Sequence, residues 1–423
     1  MQLVRRIVLC LAAVFCLPVI LIARELPTAA PEQVGLSAEK LQQAQAAMQK
    51  LVDEKNIAGG ILAVARRGKV VQFEICGMMD IETEKPMKRD TIFRIYSMSK
   101  PITSVAAMIL YEEGKLKLDD PVSNYLPEFK GLKVTADPDA GEITEVPAKR
   151  EMTVRDLMRH TSGLTYGFFS NTAVDKLYRR NLQLSGRGET LEGLVKSLSV
   201  IPLLYQPGTK WHYSFSTDVL GRVIEVACGQ SLDKFFTERI FEPLGMVDTA
   251  FYVPADKIDR FATNYGPNPQ GGLQPVDIPK TSRYAEMTTF FSGGGGLVST
   301  ADDYMRFCLM LLKKGELDGK RLLKAETIEM MTKDQLPEQA FPIAAGERDG
   351  LGFGLGFSVR VQLSDAAPAS RIGEYGWGGM ASTHFWISPS DEIAVVVMTQ
   401  HIPYSNRAER AVKPIIYEAI SDR

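Results

Sequence analysis

Cysteine and histidine are scarce in this 423-residue chain, with five of the first and four of the second. Cys10 and Cys16 fall in an apolar N-terminal run, which leaves Cys76, Cys228 and Cys308 for the body. Three cysteines cannot all pair and none has a C-x-x-C spacing, so a disulfide framework and a zinc knuckle are both disfavoured. His160, His212, His384 and His401 are scattered, with no H-E-x-x-H or similar pair. No metal and no cofactor are expected. An excess of one charge is also missing: 49 Lys+Arg face 51 Asp+Glu, a net charge of −2. That removes the general electrostatic reason to bind nucleic acid. Glycine (35) and proline (23) are ordinary in number, against collagen-like or wholly disordered chains. Internal repeats and low-complexity tracts are absent. What remains, 45% apolar and 24% charged, is the composition of a folded enzyme with a core large enough for a buried site.

One long apolar run stands at the start. Arg5 and Arg6 precede residues 7–23, which carry no polar side chain other than the two cysteines. A basic segment followed by an apolar one reads as an export signal, and residues 1–30 are expected to be a signal peptide or an uncleaved membrane anchor. Neither Cys10 nor Cys16 follows the small residue a lipoprotein signal needs. The body, residues 31–423, is then expected in the periplasm or otherwise outside the cytoplasmic membrane. Any membrane contact would run through the N-terminal segment alone.

Apolar residues at helical spacing behind Ser37 predict a helix over 37–55. Two β-rich runs flank Arg67-Gly68 and predict a hairpin. The last quarter is similar in character: residues 351–363, 379–389 and 392–400 read as three strands, followed by a closing helix over 406–421. Between about 100 and 290 helical patterns dominate (102–113, 153–159, 191–198, 216–227), and another helix is expected over 302–313. Strands at both chain ends predict an α+β fold. Its antiparallel sheet would be built from the two termini and flanked by helices, with a mostly helical lobe inserted. A site would lie in the crevice between the parts.

No G-x-S-x-G is present, so an α/β-hydrolase elbow is unsupported. Ser97-Met98-Ser99-Lys100 is present. A helix starting at Ser97 would place Lys100 one turn further along the same face, with Pro101 tolerated in the first turn and Gly114 closing the segment. A buried lysine beside a serine can activate the hydroxyl, and a helix N-terminus offers N–H donors to an oxyanion. By itself S-x-x-K is a pattern of low specificity. Tyr213 lies in a loop leading into a helix, where a phenol near an ammonium can serve as general base. Trp377-Gly378-Gly379 is expected just before a strand beginning near Met380, where glycine lets a backbone approach a ligand closely. Asp302-Asp303 reads as a helix cap, Asp119-Asp120 as a turn, and His384 as a satisfied histidine near the pocket. Gly293–Gly296 lacks the residues of a phosphate loop and reads as a flexible wall of the cleft.

Ser97–Lys100, Tyr213, the stretch Leu157–Gly167, the stretch 293–307 and the Trp-Gly-Gly strand stand in the order found in the serine β-lactamase-like superfamily. The chain resembles that group over residues 32–420. The group includes class C β-lactamases, DD-peptidases and the family VIII carboxylesterases. Two departures set direction. Phe215 stands where the first two resemble one another in an asparagine (Y-x-N), and Trp377-Gly378-Gly379 replaces K-T-G. The missing lysine would have paired with a substrate carboxylate. Such a replacement is what family VIII esterases look like, so the resemblance implies a carboxylic ester as small-molecule substrate. It implies Ser97 as nucleophile, Lys100 and Tyr213 as base pair, and the N–H groups of Ser97 and Met380 as oxyanion hole. Trp377, Gly378, Gly379 and Phe215 are implied as the substrate wall. Acyl transfer to an alcohol is compatible with the scaffold. A β-lactamase or DD-peptidase, and a non-catalytic envelope protein, stand as alternatives.

Overall fold

The apolar runs around Arg67-Gly68 set the first pairing. Both turn residues have positive φ, 51° and 74°, the backbone that a two-residue hairpin needs to match strand twist. The computed structural model describes residues 25–182, 189–343, 349–365, 367 and 369–422. In it this hairpin joins β1 (Gly59–Arg66) to β2 (Lys69–Asp80). Residues 1–24 of the expected export segment lie outside the described residues. Among the described residues no helix is long and apolar enough to cross a membrane.

Six more strands complete the main sheet: β3 (Lys85–Pro86), β4 (Leu351–Phe353), β5 (Ser358–Arg360), β6 (Tyr375–Gly379), β7 (Thr383–Ser388) and β8 (Ile393–Thr399). Their order is β4-β5-β6-β7-β8-β1-β2-β3, and every neighbouring pair is antiparallel. The N-terminal hairpin thus docks on the last strand, with Ile61 opposite Met398 and Val64 opposite Val395. The fold is α+β, with a sheet built from both chain ends. Two local expectations differ. Residues 351–363 are not one strand: Gly356, at φ 96°, lies in the turn that folds them into the β4–β5 hairpin. Trp377-Gly378-Gly379 does not precede a strand starting at Met380 but forms the end of β6, and Met380 begins the turn into β7.

The principal helices are α1 (Ala38–Asp53), α2 (Ser99–Glu112), α3 (Val154–Met158), α4 (Ala173–Asn181), α5 (Leu191–Leu198), α6 (Ser216–Cys228), α7 (Ala301–Leu312) and α8 (Arg407–Glu418). Ser37 caps α1 by accepting the Lys40 N–H at 3.3 Å; α7 is capped by Thr300, which accepts the Asp303 N–H, so Asp302-Asp303 lie in the first turn and are not themselves the cap. Strand alternation then divides the core. Leu62 and Val64 of β1 and Val395 and Val397 of β8 face α1 and α8. Ile61, Ala63, Ala65, Val396 and Met398 face the opposite side, where α2 and α7 contribute Ile102, Val105, Met305 and Phe307. Both faces of the central strands are covered, which is why they read as unbroken apolar runs. Cys76, Cys228 and Cys308 are unpaired.

Candidate active site

The sequence around Ser97 is held from three sides. Phe93–Arg94 pairs with Val298–Ser299, just before α7. The Ile95 N–H donates to Leu297 O (3.1 Å), and the Tyr304 hydroxyl donates to Met98 O (2.9 Å). Between these anchors Tyr96–Met98 forms a single 3₁₀ turn, and the α-helix proper starts at Ser99, two residues later than expected. Tyr96 has φ +41°, a left-handed conformation that a non-glycine residue keeps only when its surroundings impose it. The imposed contacts are an edge-on ring contact with Tyr284 at 5.9 Å and a hydrogen bond from Asn264 Nδ2 to its hydroxyl at 3.2 Å. Strain therefore sits beside the candidate nucleophile.

Lys100 is 1% exposed. Its Nζ lies 3.3 Å from Ser97 Oγ, donates to Gly294 O at 2.6 Å, and stands 4.4 Å from the centroid of the Tyr213 ring. The helical spacing of S-x-x-K does bring the two side chains together. Tyr213 arrives from a different part of the chain, and the stretch Leu157–Gly167 explains how. The Gly208 N–H donates to Thr161 O (2.7 Å) and the His212 N–H to His160 O (2.9 Å), so the two loops brace each other. The His160 ring packs at 4.8 Å from that of Tyr213. Burial, then the charge of Lys100, hold this imidazole well below its usual pKa, so a neutral ring supports the phenol. From the sheet, Trp377 Nε1 donates to the Tyr213 hydroxyl at 3.3 Å.

Gly379 shows why this strand ends in glycines. A Cβ there would fall 2.3 Å from Ile95 O and 2.4 Å from Thr383 Oγ1. The absent side chain lets β6 press against the backbone two residues before Ser97, with Met380 next to it. A cavity of about 980 Å³ opens at this place, lined by Ser97, Phe169, Trp211, Tyr213, Trp377, Gly378, Gly379 and Met380. Phe215 is a correction to the expected wall. It is 4% exposed, packs on Tyr166 (4.5 Å) and Tyr178 (6.2 Å), and does not line the cavity. The residue sits at the position just before α6 with no side-chain cap hydrogen bond, and the hydrophobic effect draws its ring into the core. Gly293–Gly296 is a second correction. Cβ atoms on Gly293 and Gly294 would fall 2.8 Å from Thr217 O and 2.4 Å from Asp218 Oδ2, so at these residues the run is a packed strap and not a flexible wall. His384 lines the cavity with both ring nitrogens engaged, on Ser405 O (3.1 Å) and Glu409 (3.3 Å). Among the described residues no group of three or more His, Cys, Asp or Glu is placed to hold a metal. The sequence reading missed His160 as a brace and Asp218 beneath the glycine run. His160 carries no local pattern, and Asp218 looks like any acidic residue in a first helical turn.

A helix-borne Ser-x-x-Lys, a tyrosine from a facing loop and a glycine-ended strand on an antiparallel sheet define a class: serine hydrolases of the β-lactamase type. The family model described as Beta-lactamase matches residues 44–414, and the chain belongs to that family. Protein Rv1367c of Mycobacterium tuberculosis is 36% identical over 367 residues, 85% of this chain and 90% of that protein. Esterase EstB of Burkholderia gladioli is 30% identical over 363 residues, 82% and 86% of the two chains. Among solved structures, EstCE1, described as a hydrolase with promiscuous acyltransferase activity, superposes with a TM-score of 0.77 at 29% identity. The match covers 89% of this chain and 98% of that one.

Proposed function

We propose that the protein cleaves carboxylic esters through an acyl-enzyme on Ser97, with Tyr213 and Lys100 as the proton-handling pair. The observation that carries this reading is the position of Lys100 Nζ, 3.3 Å from Ser97 Oγ and 4.4 Å from the Tyr213 ring. Ser97 Oγ attacks the ester carbonyl and its proton passes to Tyr213, which acts as the phenolate paired with the Lys100 ammonium over its ring. The N–H groups of Ser97 and Met380 hold the oxyanion. Collapse breaks the bond to the alcohol, which leaves with the proton from Tyr213. Water then attacks the acyl group, giving its proton to Tyr213, and Ser97 is released with that proton; a second alcohol in place of water gives acyl transfer.

Ester rather than amide chemistry is supported by position 377. An indole stands there, already donating to Tyr213, so that residue offers no ammonium to a substrate carboxylate. The names of EstB and EstCE1 point the same way. The test is hydrolysis of p-nitrophenyl butyrate by the wild type and by Ser97→Ala. The mutant rate is expected to fall by about a thousandfold or more. Equal rates for the two proteins would refute the reading, and nitrocefin turnover exceeding ester turnover would return the β-lactamase alternative.

A further inference from the structure

Asp218 has no part in the reaction as written, yet it is buried beneath the residues that do. It is the third residue of α6 and 2% exposed. Burial pushes its carboxyl pKa up, while the nearby Lys100 and hydrogen bonds pull it back. Asp218 Oδ1 accepts two hydrogen bonds from the glycine strap, one from the Ser292 hydroxyl and one from the Gly294 N–H at 3.1 Å. The same glycine turns its carbonyl to Lys100 Nζ at 2.6 Å. One residue thus joins the two side chains, N–H to the carboxyl and C=O to the ammonium. A Cβ on Gly294 would meet Asp218 Oδ2 at 2.4 Å and Tyr166 Oη at 3.0 Å, so only glycine permits so close an approach.

We propose that Asp218 is a positioning residue for Lys100, acting through Gly294; the proposal rests on the esterase reading of the Ser97 site. An ammonium has three donors and no acceptor. One donor of Lys100 is spent on Gly294 O, its shortest contact, and that contact decides where Nζ sits. Its reach to Ser97 Oγ, 3.3 Å, already lies at the long end of hydrogen-bond range. A strap released from Asp218 and relaxing by about 1 Å takes Nζ away from the hydroxyl, and a misplacement of that size can cost about a hundredfold in rate. A buried carboxyl that merely satisfied loop donors would stabilise the fold and leave the chemistry of each folded molecule unchanged.

The experiment compares the full-length wild type with Asp218→Ala, Asp218→Asn and Ser292→Ala. Two quantities are read per active site titrated with a fluorophosphonate: the rate of Ser97 labelling, and kcat and KM for p-nitrophenyl butyrate. In Asp218→Ala both the labelling rate and kcat are expected to fall by about a hundredfold, with KM changing less than about threefold. In Asp218→Asn, whose amide oxygen still accepts both donors, the fall is expected to stay within about tenfold. Ser292→Ala removes one donor and is expected to lose about fivefold in kcat; with Asp218→Asn it decides the matter if the alanine variant does not fold. Per-site rates within about twofold of wild type in Asp218→Ala, or an asparagine variant as damaged as the alanine one, would overturn the proposal. A wild type that neither turns over ester nor labels at Ser97 removes the underlying reading instead.

Discussion

At the scale of single residues, the packing of Tyr213 isolates one functional atom. Tyr213 is packed by His160, Trp211, Tyr166 and Trp377, so Tyr213→Phe keeps the ring contacts and removes only the hydroxyl. The expected outcome is a folded protein with kcat lowered by about 10² to 10⁴, checked by steady-state kinetics and near-ultraviolet circular dichroism. A phenylalanine variant of near wild-type rate would move the base role to Lys100 alone. Ser97 and Lys100 were legible in the sequence because both lie on one helical turn, where spacing by itself fixes proximity. Asp218 was not, because its partners Ser292 and Gly294 lie 74 and 76 positions away.

At the scale of elements, β6 joins sheet to nucleophile. Its last two residues point to opposite faces, as the strand period of two requires. A Cβ on Gly379 would fall 2.3 Å from Ile95 O, whereas one on Gly378 would fall 3.1 Å from both His384 Nδ1 and Tyr404 Cε2. Substitution to alanine separates the two roles. In Gly379→Ala the clash is with backbone next to the Ser97 turn, and kcat is expected to drop by about tenfold to a hundredfold. In Gly378→Ala the contacts are longer, 3.1 Å to the two side chains and 3.2 Å to Thr383 O, and lie away from the Ser97 turn, so the loss is expected to be smaller. Equal losses would show that β6 does not place the Ser97 turn through Gly379. The strand content of this region was legible in its apolar runs. Its boundaries were not, since 351–363 and 377–380 carry glycines whose turns depend on which strand lies opposite.

At the scale of the whole molecule, burial of titratable groups ties stability to pH. His160, His212 and His401 are all held below the ordinary 6.5, in each case chiefly by burial. The unfolded chain protonates them first, so they make stability fall as pH drops below 6.5. Asp303 acts in the opposite sense. Burial raises it from 3.8 to about 7, against hydrogen bonds from the Asp248 N–H and the Thr249 hydroxyl. Between those values the folded state binds the extra proton, so its contribution is full below 3.8 and is lost as pH rises through 7. Replacing it removes this opposing term. Tm measured from pH 7 down to pH 4 is therefore expected to fall more steeply in Asp303→Asn than in the wild type. Parallel profiles would contradict the raised Asp303.

The amino-acid sequence by itself determined what local rules control: the capped α1, the Arg67-Gly68 hairpin, the β1 and β8 apolar runs, and the one-turn relation of Ser97 to Lys100. Hydrophobic periodicity and spacing reach only a turn or a strand pair, and each of these features lies within that reach. Tertiary structure alone decided the register in which β1 docks on β8, that His160 and Trp377 converge on Tyr213, that Phe215 turns into the core, and that the Gly293–Gly294 strap lies between Asp218 and Lys100. Each of those joins segments tens to hundreds of residues apart. Such contacts form only when sheet and helices bury their apolar faces together, and that collective burial is not written in any local pattern.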